Sequence, residues 1–357
     1  MNFSASKARV TLRDVAKQLK VSHTTVSRAL HNDPRISAAT RQAVQTAAQE
    51  MGHRPDPMLS ALAQYRHGKT TKSISAELAW FNAWPDPKQL RQFKEFDNYW
   101  HGASEEAERS GFRIGEFIIN KQMPVQRVQK ILQARNAQGI LLPPHPSLTS
   151  DWNDFHWDDF CIVRFGHSIA FPRAHVVTSD QLTDGMIAFE NIWNQGYRRI
   201  GLVTSKKMNT RFGAGYFFSQ MKWNPDARLS ALIMTQESGA KDSQMLKRWL
   251  KANRPDAILT DVKELRDMLA GIGCEVPQDI GLAALSVLDG NADAGIDQNS
   301  KEIGKAAVQM LISLINHNER GIPEICRELL IEGRWVDGKT LPPKPGPKRE
   351  SGVASIH

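Results

Sequence analysis

Apolar residues recur at helical spacing in three short segments near the start of the chain, which predicts helices over residues 11–19, 22–30 and 37–52. Thr11 and Asp14 have the spacing of a capping box, in which each side chain satisfies an amide of the first turn. Ser22 is a suitable N-cap for the second helix, and Gly52 ends the third. The pattern predicts an all-α helix-turn-helix headpiece with a tight turn at Lys20 and Val21.

A proline-rich stretch follows the third helix. Pro55 and Pro57 end that helix and favour an extended backbone, after which Pro57–Gln64 can form a short helix. This helix is apolar along one side but too short to be stable alone in water. Composition leaves open whether it is a plain linker helix docked on the core or a segment that folds on a partner.

From residue 74 to about 338, short apolar runs alternate with longer amphipathic runs, as expected for buried parallel strands and covering helices. Strands are predicted at Ala76–Phe81, Arg113–Ile118, Gly139–Leu142, Phe160–Phe165, Val176–Thr178, Ile200–Val203, Ala231–Met234, Ala257–Leu259 and Gly281–Leu285. Helices are predicted at Phe96–Ser110, Pro124–Arg135, Gln181–Gln195, Ser243–Ala252, Val262–Gly271 and Lys301–His317. About 265 residues are too many for one open sheet, so we expect an α/β core of two doubly wound lobes.

Charge separates the headpiece from the rest of the chain. Residues 1–73 hold twelve Lys and Arg against four Asp and Glu, a net charge of +8, which equals the net charge of the whole chain. The remaining residues are therefore neutral in sum. A basic helical face can be merely solvated, but such a concentration of charge favours contact with nucleic-acid phosphates.

Several classes of site find no support in the sequence. The three cysteines, Cys161, Cys274 and Cys326, form no cluster with histidine, so no metal is expected. No phosphate-binding loop, nucleophile motif or acid–base pair is present, so neither a cofactor nor an enzyme is expected. The polar N-terminus and the lack of a long apolar run favour a cytoplasmic, nucleoid-associated protein.

The motifs TLRDVA, VSHTTVSRAL and ISAATRQAV resemble the DNA-binding headpiece of the LacI/GalR family of bacterial transcription regulators. The resemblance implies that His23, Thr24 and Arg28 read base edges in the major groove. Phosphate contacts are expected at Thr11, Ser22, Thr25, Ser27 and Arg35. The chain departs from the family at Lys20, where the family has glycine in the turn.

The resemblance also implies that Pro57–Gln64 is a hinge helix that folds on operator DNA. Leu62 then matches the leucine that wedges into the minor groove, with Ala63 and Ser60 beside it. Ser60 and Ala61 replace the usual Arg-Ser pair of the family, so polar readout of the minor groove is expected to be weaker.

Further resemblances lie in the core and imply a periplasmic-binding-protein-like fold with two lobes that close on a small ligand. They are carried by residues 176–204, 254–261, 273–285, 297–311 and 331–340. The expected organisation is a headpiece at 1–55, a hinge helix and linker at 56–73, an effector-binding and dimerisation core at 74–338, and a disordered basic tail at 339–357.

The expected effector pocket departs from its relatives. Ser286 stands where most members have Asp, residues 84–100 replace a shorter loop, and the glycine spacing after Arg211 is off by one. Candidate effector-binding residues are Trp84, Asp97, Asn98, Tyr99, Asp180, Arg211 and Asp261. For each, the alternative is a helix cap, a turn or an interlobe hydrogen bond. Trp80, Trp193, Trp249 and Trp335 are expected to pack inside the lobes.

These features together favour a transcription regulator, a repressor by the resemblance. We expect a homodimer, with a tetramer left open, that binds a pseudo-palindromic operator and responds to a small molecule such as a sugar or a related metabolite. Two alternatives are kept. One is a constitutive DNA-binding protein with a vestigial pocket, and the other is an enzyme joined to a DNA-targeting module.

Overall fold

The structure, a computed structural model, describes residues 10–30, 36–51, 76–146, 152, 154–205, 210–234 and 239–345. The chain divides after Ile74 into two compact units. The hinge helix expected at Pro57–Gln64, together with Arg35, lies outside the described residues.

The described residues of the N-terminal unit form three helices, α1 (Leu12–Leu19), α2 (His23–Leu30) and α3 (Ala38–Glu50). They enclose a small apolar core made of Val15, Ala16, Val26, Ala29, Val44, Ala47 and Ala48. Each helix contributes residues spaced three or four apart, which is the spacing that places side chains on one helical face. The three predicted helices are therefore confirmed, with the third ending at Glu50.

The C-terminal unit contains two six-stranded sheets. Its strands are β1 (Ala76–Asn82), β2 (Phe112–Ile118), β3 (Gly139–Leu142), β4 (Cys161–Phe165), β5 (His175–Ser179), β6 (Ile200–Ser205), β7 (Leu232–Met234), β8 (Ala257–Thr260), β9 (Gly281–Ala284), β10 (Gly295–Asp297), β11 (Glu328–Ile331) and β12 (Arg334–Val336). Its α-helices are α4 (Lys94–Arg109), α5 (Val125–Ala134), α6 (Gln181–Asn194), α7 (Thr210–Trp223), α8 (Gly239–Asn253), α9 (Leu265–Gly271) and α10 (Ser300–His317).

The first sheet has the order β11-β5-β4-β3-β1-β2, and all its pairings are parallel. The second has the order β12-β10-β9-β8-β6-β7, with only β12 antiparallel to its neighbour. The chain passes between the sheets after β5, after β10 and after β11. This is a two-lobe, doubly wound α/β core, as the sequence predicts.

Glycines bring two pairs of helices into backbone contact. A Cβ added at Gly102 of α4 would lie 1.9 Å from the carbonyl oxygen of Lys301 in α10, and one at Gly304 would lie 2.2 Å from that of Tyr99. The second lobe repeats this arrangement, since a Cβ at Gly215 of α7 would lie 2.1 Å from the Leu182 carbonyl. Only glycine allows so close an approach.

Most differences from the predicted elements lie at their ends, but four elements were not predicted. Strands β10, β11 and β12 have three or four residues each, and the residues of β11 are largely exposed. Strands β10 and β12 lack an apolar run, and the run in β11 is limited to Leu329, Leu330 and Ile331. Helix α7 was missed because two glycines and adjacent aromatic residues, Tyr216 and Phe217, break its helical pattern.

The predicted start of a disordered tail at residue 339 is wrong. Leu341 is buried in the second lobe, and Leu282 N donates to the Thr340 carbonyl at 2.8 Å. Tyr197 Oη also donates to the Pro342 carbonyl. Leu341 and hydrogen bonds to the backbone dock this proline-rich stretch, and composition does not reveal such contacts. Residues 346–357 lie outside the described residues.

Candidate DNA-binding surface and effector cleft

The first helix begins with the expected capping box. Asp14 N donates to Thr11 Oγ1 at 3.4 Å, while Thr11 N donates to Asp14 Oδ2 at 2.8 Å. The hydrogen bonds from Thr11 lower the pKa of Asp14, because they stabilise its charged form. Thr11 and Asp14 thus fix the start of α1, which packs against α2.

The turn between α1 and α2 has the left-handed conformation that its position demands. Lys20 has φ 53° and ψ 38°, and Val21 N donates to the Ala16 carbonyl at 3.1 Å. This geometry closes the helix with the bond pattern that glycine normally provides. Lysine in place of glycine therefore adds local strain and leaves the turn intact.

Ser22 caps the second helix. Thr25 N donates to Ser22 Oγ at 3.1 Å, and the two hydroxyls of Ser22 and Thr25 are 2.9 Å apart. Both hydroxyls therefore hold the N-terminus of α2, where the unpaired amides and the helix dipole favour a phosphate. The structure brings together these two expected phosphate-contacting residues at one end of α2.

The outward face of α2 is polar and cationic. His23, Thr24 and Arg28 are exposed, while Val26 and Ala29 on the opposite face are fully buried. Ser27 is half-buried beside them. Further exposed cations of the described headpiece lie on α1 and its turn, namely Arg13, Lys17 and Lys20. The sequence-predicted major-groove residues thus share one accessible surface, and their DNA contacts stay predictions.

The hinge residues expected to enter the minor groove, Ser60, Leu62 and Ala63, lie outside the described residues. Their assignment rests on the sequence alone.

The effector cleft is expected at the carboxyl ends of the parallel strands, where open α/β sheets commonly bind ligands. Two candidate residues beside it are largely buried. Tyr99 stacks on Phe165 with ring centroids 5.1 Å apart, and burial raises its pKa. Trp84 is 8% exposed and donates from Nε1 to the Pro144 carbonyl at 2.7 Å. These are packing contacts, so a stacking role for Trp84 stays a prediction.

Two acidic candidates serve local structure. Asp180 caps α6, accepting from Thr183 N at 3.2 Å and from Thr183 Oγ1 at 2.7 Å. Asp261 accepts from Ser205 N and Ser205 Oγ, both at 2.9 Å, and so ties the ends of β8 and β6. These contacts match the alternative interpretation of both residues as caps or turns.

Two polar candidates lie along α4. Asp97 Oδ2 lies 3.3 Å from His101 Nε2, one turn further along the helix. Asn98 Nδ2 donates to Ser300 Oγ at 3.2 Å, at the point where the chain re-enters the first lobe. This bond joins two helices of the first lobe, and the effector contact of Asn98 stays a prediction.

Arg211 of the second lobe faces Glu328 of the first, with Nη2 and Oε1 3.8 Å apart. His167, just past β4, lies 3.9 Å from the same oxygen. Burial and the neighbouring Arg211 lower the pKa of His167. Since Arg211 and Glu328 are each about two-fifths exposed, this long ion pair contributes little stability.

The sequence did not identify three residues near the crossovers as functional, namely Glu95, Asp184 and Asp289. It identified Ser286 as a departure from the family, but not as a hydrogen-bond donor. Glu95 is 5% exposed, and burial raises its pKa more than its hydrogen bonds lower it. It shares the packing face of α4 with Tyr99 and Gly102 at spacings of four and seven. That periodicity could have identified it as a buried carboxyl group.

Metal and membrane sites find no support in the described part of the chain. It contains no group of three or more histidine, cysteine, aspartate or glutamate side chains placed to hold a metal ion. None of the described helices combines the length and the apolar character needed to cross a bilayer.

Cys161 is buried, which raises the pKa of its thiol to about 11.

Comparison with known families matches two segments of the chain. Residues 11–56 match the bacterial regulatory proteins of the lacI family, and residues 189–341 match the periplasmic binding protein-like domain. The HTH-type transcriptional repressor PurR of Pasteurella multocida (strain Pm70) is 24% identical over 344 residues, covering 90% of this chain and 97% of that protein. The repressor CytR of Escherichia coli (strain K12) is 47% identical over 211 residues, covering 57% and 56% respectively.

Two solved structures share the fold. The transcriptional regulator CelR–cellobiose complex has a TM-score of 0.58 at 18% identity, covering 93% of this chain and 100% of that one. The lac repressor dimer bound to operator and the anti-inducer ONPF has a TM-score of 0.53 at 18% identity, covering 94% and 99%.

A helix-turn-helix unit followed by a two-lobe periplasmic-binding-protein-like core defines a class of DNA-binding regulators. The chain carries a helix-turn-helix segment of the lacI family of bacterial regulatory proteins, followed by a periplasmic binding protein-like domain.

Proposed function

We propose that the chain is a sequence-specific transcription repressor that binds a pseudo-palindromic operator as a homodimer and is modulated by a small-molecule effector. The observation that carries the proposal is the exposed face of α2, where His23, Thr24 and Arg28 stand on a capped helix with a fully buried opposite side. Two relatives named as transcriptional repressors support it, PurR over 90% of this chain and CytR over 57%.

Each headpiece would place α2 in a major groove, with the N-terminus of the helix and the Ser22 and Thr25 hydroxyls at the phosphates. Two copies related by a two-fold axis would read two half-sites. Leu62 from each copy would enter the minor groove between them. Because chromosomal DNA is the proposed partner, we propose the cytoplasm as the location, with no catalytic activity.

The core would bind the effector between its lobes and change the spacing of the two hinge segments. Such a ligand shifts the equilibrium only by its differential affinity for the two states. CelR, of similar fold, is in complex with cellobiose, which supports a carbohydrate or a related metabolite as the first class to screen.

The test is selection of bound fragments from a random DNA library by the full chain. We expect a consensus with two inverted half-sites, two copies of the chain per site, and affinity that falls steeply with salt. A library that shows no enrichment, or a site bound by one copy, contradicts the proposal.

A second candidate is a constitutive DNA-binding protein whose cleft does not respond to ligand. It is favoured by the internal contacts of Asp180, Asp261 and Asn98, three of the residues predicted to bind effector. Thermal-shift and calorimetric screening of sugars and related metabolites separates the two. A folded dimer that binds its operator and none of these compounds supports the constitutive protein.

A further inference from the structure

Helix α4 of the first lobe begins without a cap from its own segment. Phe93 occupies the N-cap position and makes no side-chain capping bond. Asp289 of the second lobe supplies the cap instead. Its Oδ1 accepts from Lys94 N at 2.8 Å and its Oδ2 accepts from Glu95 N at 3.2 Å. A carboxylate is the strongest partner for such amides, because its charge also interacts with the helix dipole.

A second bond lies beside this cap. Ser286 Oγ donates to Glu95 Oε1 at 2.5 Å, and Asp289 N lies 3.3 Å from the same Ser286 oxygen. The serine is needed here, since an aspartate at 286 would bring a second carboxylate against the buried Glu95. This contact explains why Ser286 departs from the residue expected at its position.

Both bonds span the cleft. Helix α4 follows β1 at the carboxyl edge of the first sheet, and residues 286–289 follow β9 at the carboxyl edge of the second. One turn further along α4, Asn98 contacts Ser300 at the crossover itself. The bonds from Lys94 and Glu95 therefore join the carboxyl edges of the two sheets, and separation of these edges breaks them.

We propose that Asp289 and Ser286 form an internal latch with the N-terminus of α4 that holds the two lobes together through groups of the chain itself. Opening the latch leaves two helix amides without their partner and removes the Ser286 hydrogen bond from the buried Glu95, so the latch stabilises the closed arrangement. A ligand that binds between the lobes then acts on an equilibrium between open and closed lobes, which the latch already shifts towards the closed arrangement. The inference concerns the core alone and is independent of DNA binding.

A matched carboxylate exists within one lobe and serves as the control. Asp293 accepts from Thr340 N at 2.8 Å and from Lys339 N at 3.0 Å, all within the second lobe. Asp289→Ala and Asp293→Ala each remove one carboxylate that binds two backbone amides. Only the first removes a bond between the lobes.

The test uses the full chain without added ligand and two readouts. Amide hydrogen exchange measures the protection of the first turn of α4. Pulsed EPR measures the distance between two spin labels, one at exposed Lys130 in the first lobe and one at exposed Lys247 in the second. Cys274 and Cys326 are replaced by serine so that they take no label. For Asp289→Ala we expect exchange at the Lys94 and Glu95 amides to be faster by about tenfold or more, together with a longer or broader distance distribution. For Asp293→Ala we expect neither change.

Three results overturn the latch. They are unchanged exchange in Asp289→Ala, an equal change in Asp293→Ala, or faster exchange with an unchanged distance distribution, which would make Asp289 a cap and not a latch. If Asp289→Ala does not fold, Asp289→Asn provides the same test, because its amide nitrogen cannot accept from the second helix amide. We then expect a smaller change in both readouts, and no change in either contradicts the proposal.

Discussion

The carboxylate of Asp184 accepts a hydrogen bond from the backbone N–H of Gly333 at 2.8 Å. Asp184 lies in α6 and is 0% exposed, while Gly333 lies where the chain makes its last passage between the lobes. A Cβ at position 333 would lie 2.5 Å from Asp184 Oδ1, so glycine is required there. The bond ties the final crossover to the first helix of the second lobe.

Burial raises the pKa of Asp184 to about 7, although the Gly333 bond opposes the change. Between pH 4 and pH 7 the folded chain keeps a proton that an unfolded aspartate, of ordinary pKa 3.8, has lost. The stability gained from this proton is therefore fully present below about pH 3.8, falls as the pH rises from there to about 7, and is then lost, by at most about 4 kcal/mol. Asp184→Asn should remove this dependence of the free energy of unfolding on pH.

Urea unfolding of the core at pH 5 and pH 8 measures the effect. The stability difference between Asp184→Asn and the parent chain should shift in favour of the variant at pH 8. Asp226→Asn, at an exposed position, is the control and should show no such shift. A pH-independent difference for Asp184→Asn would rule out a proton held at this site.

Close packing of α4 on α10 predicts a contrast between two glycines. Gly304→Ala places a Cβ 2.2 Å from the Tyr99 carbonyl, so the helices must separate, at a cost of about 1–3 kcal/mol or more. Gly271→Ala at the end of α9 has nothing within 4 Å and should be neutral or stabilising by up to about 1 kcal/mol. Equal thermal midpoints for the two variants would contradict the packing argument.

The left-handed turn at Lys20 predicts a stabilised headpiece on substitution. Lys20→Gly relieves the strain of φ 53° at a residue with a Cβ. We expect the free energy of headpiece unfolding to rise by about 0.5–1 kcal/mol, measured by circular dichroism on heating. A lower melting temperature would mean that the lysine side chain contributes more than the turn conformation costs.

The hinge assignment predicts a loss of DNA bending. Leu62→Ala removes the expected wedge, so the operator should be bound more weakly and bent less, as measured by energy transfer between the ends of a labelled duplex. The headpiece should keep its helical signal. Unchanged bending would exclude intercalation by Leu62.

The helices and strands could be predicted because the burial of their residues is reflected in the local spacing of apolar residues. Each of the nine strands expected in the core is present, since buried parallel strands appear as short apolar runs. The capping residues Thr11 and Ser22 were also predictable, because a cap acts within three residues of its own helix. The tight turn at Lys20 was also predicted, and the structure shows that its backbone is left-handed.

The contacts between the lobes could not be predicted in this way. Asp289 caps a helix 195 residues earlier in the chain, and no local pattern links it to Lys94. The substitution at Ser286 was visible in the sequence, but its reason, the buried Glu95, lies 191 residues away. Candidate effector residues such as Asp180 and Asp261 lie just past strand ends, where capping bonds and ligand contacts have the same sequence signature.

Sequence-specific DNA binding through α2 is the central claim, and fluorescence anisotropy with the selected operator and a scrambled duplex tests it most directly. The full chain should bind the operator at least about a thousandfold more tightly. Arg28→Ala should lose about 1–3 kcal/mol of discrimination at one base pair of each half-site, while Lys88→Ala, an exposed substitution in the core, should not. Equal affinity of the parent chain for both duplexes, or an equal loss on both for Arg28→Ala, would contradict the claim.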